Sequence, residues 1–431
     1  MKNTFKIICR FLFLALISLN AFTINAFAEE KPPSLNAESA LLMDAKTGQV
    51  LYSKEANKKQ FPASTTKVLT ALVVLDNAKL TDVVTVGKNP PFADGSSIGL
   101  KEGEKFTVET LLTGLLLESG NDCAEALAEY VGGTTSNFVK MMNKKAKALG
   151  CNDSNFENPS GLPNDKHVST AYDLALILKE AIKNPDYINI SRKISVELPP
   201  SNLDKEKRWA NNHNHLINKN SKYYYKYALA GKSGYTDVAR HTFVISAQKD
   251  NRTLIATFLK AEDKNKNFED MANLLDYGFN NFTEISLYKK NQNIESIKLN
   301  NNMNLPIYID RDILISAPSS EINKVNTTLQ YELPKNIKRK PLKLGETITT
   351  ADILVDGHLL TKVNLLSGID REYNFKIAIT ELFNRNKIII IPLSITLTIL
   401  VLLILRIIYV KNKRKKLAFE KKWKHIRNRK R

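Results

Sequence analysis

The chain is 431 residues long and 43% hydrophobic, and its 63 Lys and Arg against 44 Asp and Glu give a formal charge of +19. So basic a balance points first to nucleic acid, but its distribution, and an export signal at the other end of the chain, argue against that partner. Residues 411–431 hold twelve Lys or Arg and one acid, Glu420, directly after an apolar run, so most of the excess is the flank of a membrane segment.

In chain order, the first 28 residues have the layout of an export signal. Lys2, Lys6 and Arg10 precede an apolar core from Phe11 towards Phe22, and Ala26-Phe27-Ala28 offers a small-residue cleavage site. The mature chain is expected to begin near Glu29. Cys9 leaves with the signal, and Cys123 and Cys151 remain, either bridged or as two buried thiols. About 360 residues between the two apolar ends give room for two domains rather than one.

ALLMDAKTGQVLYSK places apolar runs on either side of a turn ending in Gly48, which predicts a hairpin. FPASTTKVLTAL, residues 61–72, follows. If the run after Pro62 is helical, Ser64 and Lys67 lie one turn apart on one face. Alone, that spacing is an ordinary polar helix start.

From Val108 to about Lys183 the apolar residues recur every three or four positions in three segments, with Ser, Thr or Asn near their starts and Gly or Pro near their ends. Ser119-Gly120-Asn121 falls between two apolar helical stretches. Gly231-Lys232-Ser233-Gly234 precedes a strand, and HTFVISAQKDNRTLIATFLKA reads as two strands around Lys249-Asp250-Asn251. A helical middle between N- and C-terminal strands predicts an α+β domain, an antiparallel sheet with helices packed on it.

After residue 285 short alternating runs such as IESIKL and TTLQYEL predict a small all-β domain, with KNIKRK at 335–340 a solvated loop. Residues 388–410 then form an apolar stretch long enough, at about 34 Å as a helix, for a transmembrane span. The expected division is 1–28 signal, 29–284 first domain, 285–378 all-β domain, 387–410 transmembrane helix and 411–431 basic cytoplasmic tail.

The motifs S-x-x-K, S-x-N and K-S-G in this order resemble the penicillin-binding serine acyltransferases. The finer resemblance is to the D-alanyl-D-alanine carboxypeptidases, the low-molecular-mass penicillin-binding proteins, carried by PASTTKVLTAL, LLLESGNDCAEALAE, FENPSGLPNDKHVSTAYDLALI and AGKSGYT. It covers residues 36–282 strongly and the all-β part by position. It implies a penicillin-binding/β-lactamase-like fold and a penicillin-sensitive enzyme that removes the terminal D-alanine of peptidoglycan stem peptides. The rivals are a transpeptidase, a β-lactamase, and a catalytically silent wall-binding protein.

A serine hydroxyl is a poor nucleophile near neutral pH and needs a base, and a lysine serves only when burial or a second cation populates its neutral form. The resemblance makes Ser64 the nucleophile, Lys67 its base and Ser119 a proton relay to the leaving amine. Asn121 would bind the substrate backbone. Lys232 would supply the second cation and attract the substrate carboxylate, and Ser233 would bind that carboxylate. Gly234 would admit the ligand close to the strand, and the amides of Ser64 and Tyr235 would form the oxyanion hole. Relatives often have Thr at the position of Ser233. Several also have an Arg in the loop after the second strand, where AEDKNKN at 261–267 has only Lys264 and Lys266.

No metal or other cofactor is expected. Lys226 stands where a phosphate-binding loop needs glycine, and His213 and His215 read as a surface or core pair. Glu118 and Asp122 read as helix-capping or solvated acids rather than catalysts. The tyrosines at 223–225 and 227 read as packing, with a wall-glycan contact as the alternative. The expected partners are the stem peptide, β-lactam antibiotics and the membrane, with the catalytic domain on its extracytoplasmic side.

Overall fold

The computed structural model describes residues 31–300 and 303–428; the expected export signal with its cleavage site, and the last residues of the tail, lie outside the described residues. The chain forms two compact units. One runs to Leu287 and also contains Leu314–Val325; the other holds Tyr288–Ile313 and the chain from Asn326 on.

In the first unit β1 (Ala37–Asp44) and β2 (Val50–Lys54) form the expected hairpin, its turn closed by the Asp44 carboxylate, which accepts from the amides of Lys46 and Thr47 at 3.0 Å each. A 3-10 turn, Ala63–Thr66, leads into α1 (Lys67–Asn77). The short strands β3 (Val83–Thr85) and β4 (Lys105–Thr107) come next. The helical middle consists of α2 (Val108–Thr113), α3 (Asn121–Gly132), α4 (Thr135–Ala148), α5 (Ala171–Ala181) and α6 (Pro185–Ser191). Thr107, Thr134 and Thr170 cap α2, α4 and α5 by accepting the backbone N–H three residues on, so these starts follow from local chemistry.

The hairpin of β5 (Ser195–Leu198) and β6 (Arg208–Asn211) was not legible, because the strands are short and the residues between them are polar. The unit continues with β7 (Ala228–Thr236), β8 (Arg240–Lys249), β9 (Arg252–Ala261) and α7 (Lys264–Asn281). Gly231–Gly234 therefore lies within a strand, not before one. The antiparallel order β2-β1-β9-β8-β7 sets the first strand against the last and leaves β7 at an edge.

Both faces of this sheet are covered, which is why β1 reads as a nearly unbroken apolar run. Leu41 and Met43 face the cluster built with α1–α5, while Ala40 and Leu42 face the one built with α7. The strand period of two sorts neighbours onto opposite faces.

β10 (Phe282–Tyr288) ends the first stretch, and β11 (Asn293–Asn300) and β12 (Met303–Ile309) begin the second unit. β13 (Ile313–Pro318) then pairs back with β10, so the all-β texture read after residue 285 is shared between the units. With β14 (Thr327–Tyr331), β15 (Thr347–Val355) and β16 (His358–Ser367) the second unit forms one antiparallel sheet, β11-β12-β16-β15-β14.

The final helix, α8 (Phe375–Asn428), contains a segment, Ile388–Trp423, long and apolar enough to cross a membrane. It outruns the 387–410 span at both ends, because neither flank holds a Gly or Pro to stop it. Cys123 and Cys151 are free and buried, which settles the open choice in favour of two thiols.

Candidate active site

Ser64 lies on the 3-10 turn and Lys67 is the first residue of α1, so the predicted spacing survives although the turn is tighter than an α-helix. The turn is pinned by the Pro62 carbonyl, which accepts from the hydroxyl of Thr65 at 2.6 Å and from that of Thr242 on β8 at 2.9 Å.

Lys67 is fully buried, and its amine has three near neighbours: Ser64 Oγ at 3.0 Å, Asn121 Oδ1 at 2.6 Å and the Ser160 carbonyl at 2.7 Å. Burial, and after it the charge of Lys232, hold this amine well below the ordinary lysine range. A neutral amine has two hydrogens and one lone pair. The oxygens of Asn121 and Ser160 can only accept, so they take both hydrogens and leave the lone pair aimed at Ser64. In that neutral form Lys67 accepts from the Ser64 hydroxyl, the starting geometry of a general base, whereas a protonated amine donates to Ser64 Oγ.

Ser160 was absent from the expected site. Its carbonyl is presented by a turn in which Asn158 Oδ1 accepts from the amides of Ser160, Gly161 and Leu162 at 3.2, 2.7 and 3.2 Å. Gly161 has φ +88°, and a Cβ there would stand 1.9 Å from the Ala63 carbonyl oxygen, so this turn packs directly on the turn that carries Ser64. His167 ties the two together. Its Nδ1 accepts from the Glu157 amide at 3.2 Å, which puts the proton on Nε2 and makes it donate to Thr66 Oγ1 at 2.9 Å. Burial lowers His167 to about 4 and keeps the ring neutral for this task. An Asn three residues before a Gly was the sequence signal for this turn.

The S-x-N segment begins where a π-helical turn, Gly114–Glu118, ends at Ser119 in the left-handed region with φ +66°. That strained conformation is sustained by its surroundings. Ser119 Oγ is buried and makes no hydrogen bond among the described residues. Asn121 was expected to bind substrate, but its side chain is engaged internally, accepting from Lys67 and donating to the Asp94 carbonyl at 2.5 Å. Asp122 accepts from Ser97 Oγ at 2.6 Å and from the amides of Ile98 and Leu100 at 3.1 Å, which fixes the loop beside Asn121.

On β7, Lys232 and Gly234 share the face turned towards α1. A Cβ on Gly234 would lie 2.7 Å from the Ser64 amide nitrogen and 2.6 Å from Thr242 Oγ1, so glycine lets the strand abut the serine. Lys232 is buried, donates to the Ser233 carbonyl at 2.7 Å, and is brought down to about 7 by burial, with Glu118 opposing. Ser233 is half-buried and its hydroxyl has no protein partner among the described residues. The Tyr235 side chain turns outward, donating to Asp237 at 3.1 Å and packing on His241. Glu118 accepts from the Asn211 amide at 2.8 Å and stands 3.6 Å from His213, so it belongs to the electrostatics of Lys232 rather than to proton transfer.

The segment read as a loop at 261–267 is mostly the start of α7, capped by Asp263. Of its two lysines, Lys264 is the one whose charge bears on His213, His215 and His241. Cys123 is no rival nucleophile: burial first, then Asp122, push its thiol far above the usual range.

A hydroxyl whose proton acceptor is a desolvated amine, set against a glycine on an open strand edge, is the arrangement of a serine acyltransferase. The chain belongs to the D-alanyl-D-alanine carboxypeptidase family, whose model matches residues 25–263, and residues 282–373 match the C-terminal domain of penicillin-binding protein 5. It is 32% identical over 361 residues to D-alanyl-D-alanine carboxypeptidase DacF of Bacillus subtilis, covering 80% of this chain and 90% of that protein. It is 36% identical over 252 residues to D-alanyl-D-alanine carboxypeptidase DacB2 of Mycobacterium tuberculosis, covering 57% and 84%. Among solved structures, penicillin-binding protein 5 of Haemophilus influenzae superposes with a TM-score of 0.67 at 27% identity, over 79% of this chain and 99% of that one.

Proposed function

We propose that Ser64 is the nucleophile and Lys67 the base of a serine-type D-Ala-D-Ala carboxypeptidase acting on peptidoglycan stem peptides. The carrying observation is the buried Lys67 amine, held well below the ordinary lysine range, 3.0 Å from Ser64 Oγ with two carbonyl acceptors as its other neighbours. Ser64 Oγ attacks the penultimate D-Ala carbonyl as its proton passes to Lys67. The amides of Ser64 and Tyr235 receive the oxyanion, each donor contributing about 3–4 kcal/mol. Ser119 relays the proton held by Lys67 to the departing D-Ala amine; water, losing a proton to Lys67, then attacks the acyl carbonyl, and Ser64 Oγ leaves and takes that proton back.

Lys232, Ser233 and Lys264 form the carboxylate end of the site. Asn121 serves chiefly to hold Lys67. The apolar segment of α8 anchors the protein as a single span, and the basic tail puts the catalytic unit on the extracytoplasmic side.

β-Lactams acylate the same serine in this reading. Intact mass after exposure to penicillin is expected to show one adduct per chain on the parent and none on Ser64→Ala. An adduct on Ser64→Ala would remove the nucleophile assignment.

The charge on Lys232 sets a pH limit. The lysine must keep its proton to hold the carboxylate, so kcat/KM for peptide is expected to fall as pH rises through about 7. Glu118 favours the protonated form, so Glu118→Gln is expected to move this alkaline limb to lower pH. An unmoved limb, or one displaced upward, in a pH profile of kcat/KM would contradict it.

A further inference from the structure

At the beginning of β7 the first unit carries a groove of about 520 Å³ for which the reaction above has no use, lined by Tyr224, Lys226, Tyr227, Lys249, Asp276 and Asn280. From residue 207 to residue 236 the chain has no Asp or Glu, so the loop entering the groove is wholly cationic. Its rings are set in place rather than loosely exposed. Tyr225 is buried and donates to Asp276 at 2.8 Å, which ties the loop to α7. The Tyr227 ring packs edge-on against Tyr225 at 5.6 Å and lies 6.0 Å from the Phe279 ring. Lys226 and Lys249 hold their amines 4.7 and 5.5 Å from the centre of the Tyr227 ring, while Tyr224 is 40% exposed.

We propose that this groove binds the glycan strand of the substrate polymer, a polysaccharide that carries free carboxylates at sugars without a stem peptide, while a stem peptide enters the catalytic centre; the proposal rests on the peptidoglycan reading above. The chemistry fits each part of such a chain. The C–H edge of a sugar packs on the electron-rich face of a tyrosine. Carboxylates on the chain meet Lys226 and Lys249, and hydroxyls meet Asp276 and Asn280. A small anion would need only the lysines, and an apolar ligand only the rings.

Position supports the same occupant. Tyr227 stands immediately before the edge strand β7 and Ser233 lies on it six residues further on, about 20 Å at ~3.3 Å per residue. The Tyr227 ring packs on the α7 side of the sheet whereas Gly234 abuts the Ser64 turn on the α1 side, so an occupant of both places passes round the edge strand, which a long polymer does and a short peptide does not.

The test measures binding of the full chain, in detergent, to immobilised peptidoglycan glycan strands stripped of their stem peptides, so that the catalytic centre has no substrate to hold. Parent and Ser64→Ala are expected to bind equally. A Tyr224→Ala/Lys249→Ala double variant is expected to bind at least about tenfold more weakly, a difference of about 1.4 kcal/mol. Its D-alanine release from a soluble short peptide should match the parent, which shows that the fold and catalytic centre are intact. Binding of the double variant equal to the parent overturns the proposal. So does parent binding that heparin matches and that Tyr224→Ala alone leaves unchanged, because that is charge attraction without sugar recognition. Glycan binding by a parent that releases no D-alanine would keep the groove and sink the activity instead.

Discussion

Lys67→Met is expected to slow acylation of Ser64 about a thousandfold while leaving a folded protein, the range lost when a positioned general base is removed. Methionine fills nearly the same volume and brings no charge into a site where burial already opposes one. The oxygens of Asn121 and Ser160 lose their donor, at a cost of about 1–3 kcal/mol each if no water replaces it. The desolvation of the amine disappears at the same time and offsets part of that. The rate of penicillin adduct formation, followed by mass, is the measurement. Acylation within tenfold of the parent would mean that Lys67 is not the base.

Gly161→Ala should do comparable damage by a different route. The new Cβ meets the Ala63 carbonyl at 1.9 Å in a backbone with φ +88°, and that backbone oxygen cannot swing aside. Either the Asn158–Gly161 turn or the Ser64 turn must move. Both movements take the Ser160 carbonyl away from Lys67 and misdirect its lone pair. Overpacking of this kind, with the strain at φ, costs about 3 kcal/mol or more. Thermal unfolding should shift downward and D-alanine release should fall at least a hundredfold, roughly the cost of misplacing a catalytic group by 1 Å. Unchanged unfolding with full activity would show that the two turns are not coupled.

Much of this was legible in the sequence, and the exceptions have physical reasons. The hairpin at Gly48, the helical middle and the paired strands after Arg240 follow from local periodicity and turn chemistry, which need no tertiary information. Ser64 and Lys67 were legible as neighbours because a single turn joins them. The closeness of Lys232 and Gly234 was not, since it depends on β7 packing beside a turn some 170 residues away, and only the resemblance carried it.

Ser160 escaped notice because it acts through its carbonyl, and backbone groups leave no mark in side-chain identity. His167 escaped for a related reason: it touches neither Ser64 nor Lys67, and a lone histidine in a polar run has no distinguishing spacing. Asn121 is expected as a substrate ligand, and the structure adds a contact that side-chain identity does not announce, its oxygen accepting from Lys67. The return of β13 to the first unit could not be read from alternating runs, which report strand character but not partners.

The measurement that bears most directly on the central claim is D-alanine release from a peptide ending in D-Ala-D-Ala by the full chain in detergent, with Ser64→Ala beside it. Release by the parent, blocked by penicillin and lost at least about ten-thousandfold in Ser64→Ala, is the predicted result. Release that persists in Ser64→Ala, or a parent that neither releases D-alanine nor takes up penicillin, would contradict the account.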